Sequence, residues 1–141
     1  GTIPSGTYKI EINGNIGTAG INEMSDARWK KEITTINSAL DMVKNLRGVT
    51  YYWRTDEFPN KNFEHTKQLG FIAQELEAAL DNEGAKNNGI ISIDDQGMYG
   101  VRYNDLISPM VKAIQEQQEM INTLQKENKE FKERIVQLEK K

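Results

Sequence analysis

The sequence has no cysteine, which excludes disulfides, a thiolate nucleophile and sulfur-ligated zinc at once. No apolar run reaches membrane-spanning length, and the first residues lack the charged start and apolar centre of a secretory signal. Excess positive charge is missing too: 18 Lys and Arg stand against 21 Asp and Glu, a formal charge of -3, so neither a nucleic-acid nor an anionic-membrane surface is expected. The single histidine, His65, lies among Glu64, Thr66 and Lys67 and reads as an exposed loop residue with no metal cluster beside it. Asp94 and Asp95 lack the remaining alternating ligands and final Glu of a calcium loop, and no Gly-x-x-x-x-Gly-Lys-Ser/Thr phosphate loop occurs. No metal and no cofactor are therefore expected.

What is present is polar but patterned. Hydrophobic residues make up 37% and charged ones 28%, too polar for one large globule and too periodic for a disordered chain, which fits an elongated or oligomeric protein. The opening Gly1-Thr2-Ile3-Pro4 reads as the middle of something longer. Tyr8, Ile10 and Ile12 alternate with Lys9 and Glu11 as in a half-buried strand, and Asn13-Gly14 supplies a turn. Gly14, Gly17 and Gly20 suit either a narrow multi-chain β-structure or a linker.

From Thr35 the period changes. Ile36, Leu40, Val43 and Leu46 predict a first helix, capped by Thr34 or Thr35 and closed by Gly48. Val49-Thr50-Tyr51-Tyr52-Trp53 predicts a buried strand, although such an aromatic run can also stack on sugar. Leu69, Ile72, Leu76 and Leu80 predict a second helix, ended by Asp81-Asn82-Glu83-Gly84. Ile90 to Ile93 and Met98 to Tyr103 flank Asp94-Asp95-Gln96-Gly97 as a hairpin.

The strongest pattern is C-terminal. Ile114, Ile121, Asn128 and Ile135 fall at heptad position a, and Met110, Gln117, Leu124, Phe131 and Leu138 at d, continuing from Ile107. Glu127 with Lys132 and Arg134 with Glu139 are then available as interchain charge pairs. A helix so polar outside its seam needs that seam covered, by partner chains or by the globular part. Ile at a and Leu at d lean toward a dimer, but Gln117, Asn128 and Phe131 blur the preference, so the seam leaves dimer and trimer open.

One segment pairs a nucleophile with a base: Ser25-Asp26-Ala27-Arg28-Trp29-Lys30. A serine hydroxyl attacks only once a base takes its proton, and a lysine can do so only when desolvation or nearby cations favour its neutral form. The five-residue spacing allows Ser25 and Lys30 to meet within one chain or between chains. On the residues alone, the commoner reading of such a segment is a cap beside a solvated charge cluster.

Taken with the residues C-terminal to it, the segment resembles the phage endosialidase type of C-terminal intramolecular chaperone, which also occurs in tail fibres, tailspikes and neck appendages. The matching run is Ser25-Asp26-x-Arg28-x-Lys30, Ile33, a helix through Leu40 and Tyr51-Tyr52-Trp53, and then Gln68-Leu69-Gly70-Phe71-Ile72-Ala73-Gln74-Glu75. Val101-x-Tyr103-x-x-Leu106 and heptads from Pro109-Met110-Val111-Lys112-Ala113-Ile114 complete it, so the likeness covers nearly all of residues 20–140.

The resemblance implies an α+β fold: a passenger β-fibre end at residues 1–24, a chaperone head with two helices and short strands at 25–105, and a coiled-coil trimerisation helix at 106–141. It implies a homotrimer that folds the preceding fibre region of its own chain in the bacterial host cytoplasm. After autoproteolysis the passenger would go to the virion tail and the chaperone would be shed. It assigns Ser25 as nucleophile and Lys30 as base of a self-cleaving serine endopeptidase, and leaves Asp26 and Arg28 without a chemical role. For those two, capping a turn and pairing with a carboxylate are the plainer expectations. The cut should adjoin Ser25: within one chain, attack on the Met24 carbonyl closes a five-membered ring, whereas attack on its own carbonyl needs a strained four-membered one, so a cut after Ser25 would instead use a neighbouring chain. A trimerisation and folding module without catalysis is the alternative; a protease acting on other proteins is disfavoured because the nucleophile lies beside its own target.

Overall fold

The computed structural model describes residues 17–21, 23–82 and 89–140. The strand expected around Tyr8 to Ile12 lies outside them, as does most of the expected passenger end. The described chain is α+β, with short strands in two small sheets and a long final helix. The described residues divide into two compact units, one drawn from residues 17–35 and 46–102 and the other from residues 36–45 and 103–140.

In the first unit, β1 (Val49–Tyr51) pairs antiparallel with β2 (Gln68–Gly70), placing Val49 opposite Gly70, Thr50 opposite Leu69 and Tyr51 opposite Gln68. β-branched and aromatic residues favour this pleat. The loop between the strands carries its own aromatic cluster: Trp53 stacks on Phe63 at 4.3 Å between ring centroids and meets Tyr51 edge-on at 5.0 Å. The expected buried strand through Trp53 is therefore corrected: it ends at Tyr51, and Tyr52 is exposed beside the Lys67 ammonium, 5.8 Å from its ring.

Helix α2 (Ala73–Asn82) begins later than its apolar spacing predicts. Leu69, expected on this helix, sits on β2 and is 81% exposed, because pairing with Thr50 claims its backbone. Leu76, Ala79 and Leu80 form the buried face of α2 at helical spacing, and α2 packs against β4 (Tyr99–Val101). β4 pairs antiparallel with β3 (Ile91–Ile93) in the hairpin expected from the sequence. Asp94 makes its turn: Oδ1 accepts the amides of Gln96 (2.9 Å) and Met98 (2.8 Å), while Gly97 takes φ +78°, where a side chain would be strained.

Leu76 is only 2% exposed. Truncating it to Ala is expected to lower stability by about 2–5 kcal/mol, read as a shift in the urea midpoint at unchanged m-value. A cost below about 1 kcal/mol would mean that this face is not a packed core.

In the second unit, α1 (Ala39–Lys44) packs on α3 (Ile107–Glu139), which is preceded by a 3₁₀ turn at Tyr103–Leu106. The expected helix from Thr35, with a threonine cap, is corrected. Ser38 takes the left-handed φ of 52° and its side chain caps nothing, so the helix starts at Ala39, and it ends at Lys44 with Asn45, rather than Gly48, as its C-cap. The missing cap comes from the long helix, where Glu116 Oε2 accepts the Leu40 amide at 2.8 Å. Six residues do not make a stable helix alone. Burial of Ala39 and Met42, together with Leu106, Pro109 and Ala113, supplies what propensity lacks.

Helix α3 has 33 residues, a length of about 50 Å at 1.5 Å per residue. Pro109 falls in its first turn, where no intrahelical amide bond is lost. No helix among the described residues is long and apolar enough to cross a membrane. Every seam residue from Ile114 to Leu138, including Gln117 and Asn128, is exposed. The buried or half-buried residues of the helix, Pro109, Lys112, Ala113 and Glu116, lie at other heptad positions, so packing of α1 leaves the a/d stripe open.

Candidate active site

The chain from Ser25 to Lys30 is folded back by one 3₁₀ turn at Ala27–Trp29. Asp26 precedes that turn in an extended conformation (φ -63°, ψ 133°), the geometry in which a short acidic side chain reaches forward to a free amide. Its Oδ1 accepts the Arg28 amide at 2.9 Å. Two backbone bonds of 3.1 Å close the turn, Trp29 N–H to the Asp26 carbonyl and Lys30 N–H to the Ala27 carbonyl.

The Arg28 guanidinium then forks onto the same carboxylate, with Nε on Oδ1 at 3.0 Å and Nη2 on Oδ2 at 2.7 Å. These side-chain contacts first, and the Arg28 amide second, hold the Asp26 carboxyl below its ordinary range. The same pairing raises Arg28. A carboxyl lowered in this way keeps its charge above the ordinary carboxylate range and loses it only on strong acidification, so the pair is formed at neutral pH. The cap expected of Asp26 and the carboxylate partner expected of Arg28 are thus each other.

The consequence of the turn is the meeting of the two reactive groups: Lys30 Nζ donates to Ser25 Oγ at 2.7 Å, within one chain. Ser25 and Lys30 are both exposed, and Met24, on the acyl side of the bond before Ser25, is 85% exposed. The next cation, Lys31, is within 3.7 Å of Glu32, and Glu32 adopts φ 54°, an uncommon conformation for a residue with a side chain. A hydroxyl held on an amine can pass its proton to that amine once the amine is neutral, and removal of water favours the neutral form.

The remaining sequence candidates lie elsewhere. His65 is exposed, with Nδ1 3.3 Å from Thr55 Oγ1. Asp94 is occupied by its turn. Among the described residues no three of His, Asp and Glu are grouped to hold a metal ion. The part sequence reasoning missed is the Asp26–Arg28 fork; the available signal was an acidic cap two residues before an arginine. It also missed Glu116 as the cap of α1, a pairing 76 residues apart that leaves no local mark.

Comparison with known proteins bears out the resemblance. Residues 25–85 match the family described as Chaperone of endosialidase, a peptidase family by its name. The chain is 28% identical over 135 residues to the long tail fiber protein Gp37 of Salmonella phage S16, an alignment covering 88% of this chain and 17% of that protein. The chain therefore spans about a sixth of the length of that relative. A crystal structure of "a novel intramolecular chaperon" superposes with a TM-score of 0.50 at 20% identity, over 68% of this chain and 99% of that one, a likeness of fold.

Proposed function

With residues 25–85 matching the endosialidase chaperone family and a tail-fibre protein aligned along most of the chain, we propose that this is an intramolecular chaperone of a phage fibre. It trimerises, folds the β-structure that precedes it, and releases itself by cutting between Met24 and Ser25. The observation that carries the cut is the 2.7 Å contact of Lys30 Nζ with Ser25 Oγ. The observation that carries assembly is the open a/d stripe of α3, which one chain leaves in water.

The reaction proceeds in two steps. Neutral Lys30 takes the Ser25 hydroxyl proton as Oγ attacks the Met24 carbonyl carbon. Collapse of the five-membered intermediate breaks the C–N bond, and Lys30 returns the proton to the departing amine, leaving an ester between Met24 and Ser25 Oγ. Water then hydrolyses the ester, giving a Met24 carboxylate and a fragment that begins with the free amine of Ser25. Both groups are exposed in the single chain, so the site needs cover, and trimer formation supplies it. In this reading residues 1–24 are passenger, 25–105 the chaperone head and 106–141 the trimerisation helix. The passenger remains in the virion tail, and the head and helix, folded in the host cytoplasm, are shed.

Assembly of intertwined β-strands is slow and ambiguous in register, and a coiled coil that gathers three chains reduces both difficulties. Cutting afterwards leaves the fibre held by its unfolding barrier. The exposure of Ser25 and Lys30 also favours a second reading, a trimerisation module without chemistry.

Intact-mass measurement on freshly folded protein separates the two. A fragment beginning at Ser25 is the expected result. A single species at 16.1 kDa from a demonstrated trimer would leave only the non-catalytic module, and a cut elsewhere would remove the site assignment.

A further inference from the structure

Ser25 and Lys30 are five residues apart, and an extended chain would separate their backbones by about 17 Å, farther than a lysine side chain reaches. Their contact therefore depends on the turn at Ala27–Trp29. That turn has two backbone hydrogen bonds, and among residues 25–30 none is buried, so no core holds it. A single turn in water is marginal, since several dihedral angles are fixed for each bond gained. What remains to hold it is the Asp26 carboxylate, which binds both the amide and the guanidinium of Arg28.

We infer that Asp26 and Arg28 are positioning residues for the self-cleavage reaction, a cap and fork that hold the one turn bringing Lys30 Nζ onto Ser25 Oγ. This rests on the dyad reading above. The two side chains bond to each other and not to the hydroxyl or the amine; they act by keeping residue 30 beside residue 25. The bidentate fork matters because it fixes direction as well as charge, which a lysine at position 28 would not reproduce. It also occupies both carboxylate oxygens, so the acid nearest Ser25 in the chain is engaged with Arg28.

The test is the first-order rate of fragment release from assembled wild-type protein and from Asp26→Ala, Asp26→Asn, Arg28→Ala and Arg28→Lys, with trimer mass and melting midpoint recorded for each. Asp26→Ala and Arg28→Ala are expected to cut on the order of 100-fold more slowly, the cost of a misplacement near 1 Å, with trimer mass and midpoint unchanged. Asp26→Asn retains an oxygen for the Arg28 amide but cannot accept both guanidinium bonds of the fork, so its rate is expected to fall between those of Asp26→Ala and wild type. Arg28→Lys should fall between Arg28→Ala and wild type.

Wild-type rates in Asp26→Ala overturn the proposal, as does a loss of rate that tracks a lowered midpoint. An Asp26→Asn variant that cuts at the wild-type rate overturns the part given to the fork, since Asn keeps only the cap. If wild-type protein is itself not cut at Ser25, it is the dyad reading that fails; wild-type cutting with indifferent variants removes only the positioning role.

Discussion

Replacing Ser25 with Ala is expected to abolish fragment release, and replacing Lys30 with Arg to lower its rate by about 10²–10⁴-fold, with the oligomer unchanged in both. Both residues are exposed in the single chain, so neither change removes core packing, and assembly should survive. Ala at position 25 leaves no oxygen to form the ester. Arg at 30 keeps a positive charge and can still reach toward Ser25, but a guanidinium holds its proton at any ordinary pH and cannot accept another. The pair of variants thus separates charge from basicity. If Lys30 only neutralised or oriented its surroundings, Arg would serve nearly as well. Efficient cutting in Lys30→Arg, monitored by mass spectrometry across pH, sinks the general-base assignment, and cutting in Ser25→Ala sinks the nucleophile.

The sequence made legible whatever is periodic or local. The heptads from Ile114 to Leu138 lie on one helix as expected, because a stripe repeating every three and four residues has a single regular solution. The hairpin around Asp94 to Gly97 was equally plain, since its turn is built from its own four residues. Leu69 and Ile72 failed as helix positions for a physical reason. Their spacing to Leu76 fits a helix, but the partner strand that holds Leu69 lies some twenty residues earlier, and periodicity does not see it.

The start of α1 failed similarly, because a left-handed Ser38 cannot cap and the acceptor comes from Glu116 on another element. At the candidate site, residue types and order were readable, but the choice between contact within a chain and contact between chains was not. A spacing of five admits either until the backbone turns, and it is the Asp26 cap and Arg28 fork that turn it. Asp26 and Arg28 were visible as members of a pattern, while the bond between them was visible only in three dimensions.

The second large effect is expected far along the chain from the dyad. Ile121→Asp in the a layer of α3 should dissociate the trimer and stop cleavage together, although it touches neither reactive residue. Ile121 belongs to the open stripe of a helix whose residues beyond Glu116 nearly all face water, so in one chain an Asp there costs little. In a trimer the same change removes about 1.5–3 kcal/mol of apolar burial per chain, three times over. It also brings three carboxylates into one desolvated layer, where they repel and lose hydration. Asn128→Ile is the opposing control: it converts a polar a layer to an apolar one and is expected to strengthen assembly while loosening register, with cutting retained. Light scattering coupled to chromatography gives the chain number, and mass spectrometry on the same fractions gives the extent of cutting. Cleavage at the wild-type rate in a demonstrated Ile121→Asp monomer would break the link between assembly and catalysis. An Ile121→Asp chain that remains trimeric would instead show that the a/d stripe is not what holds the chains together.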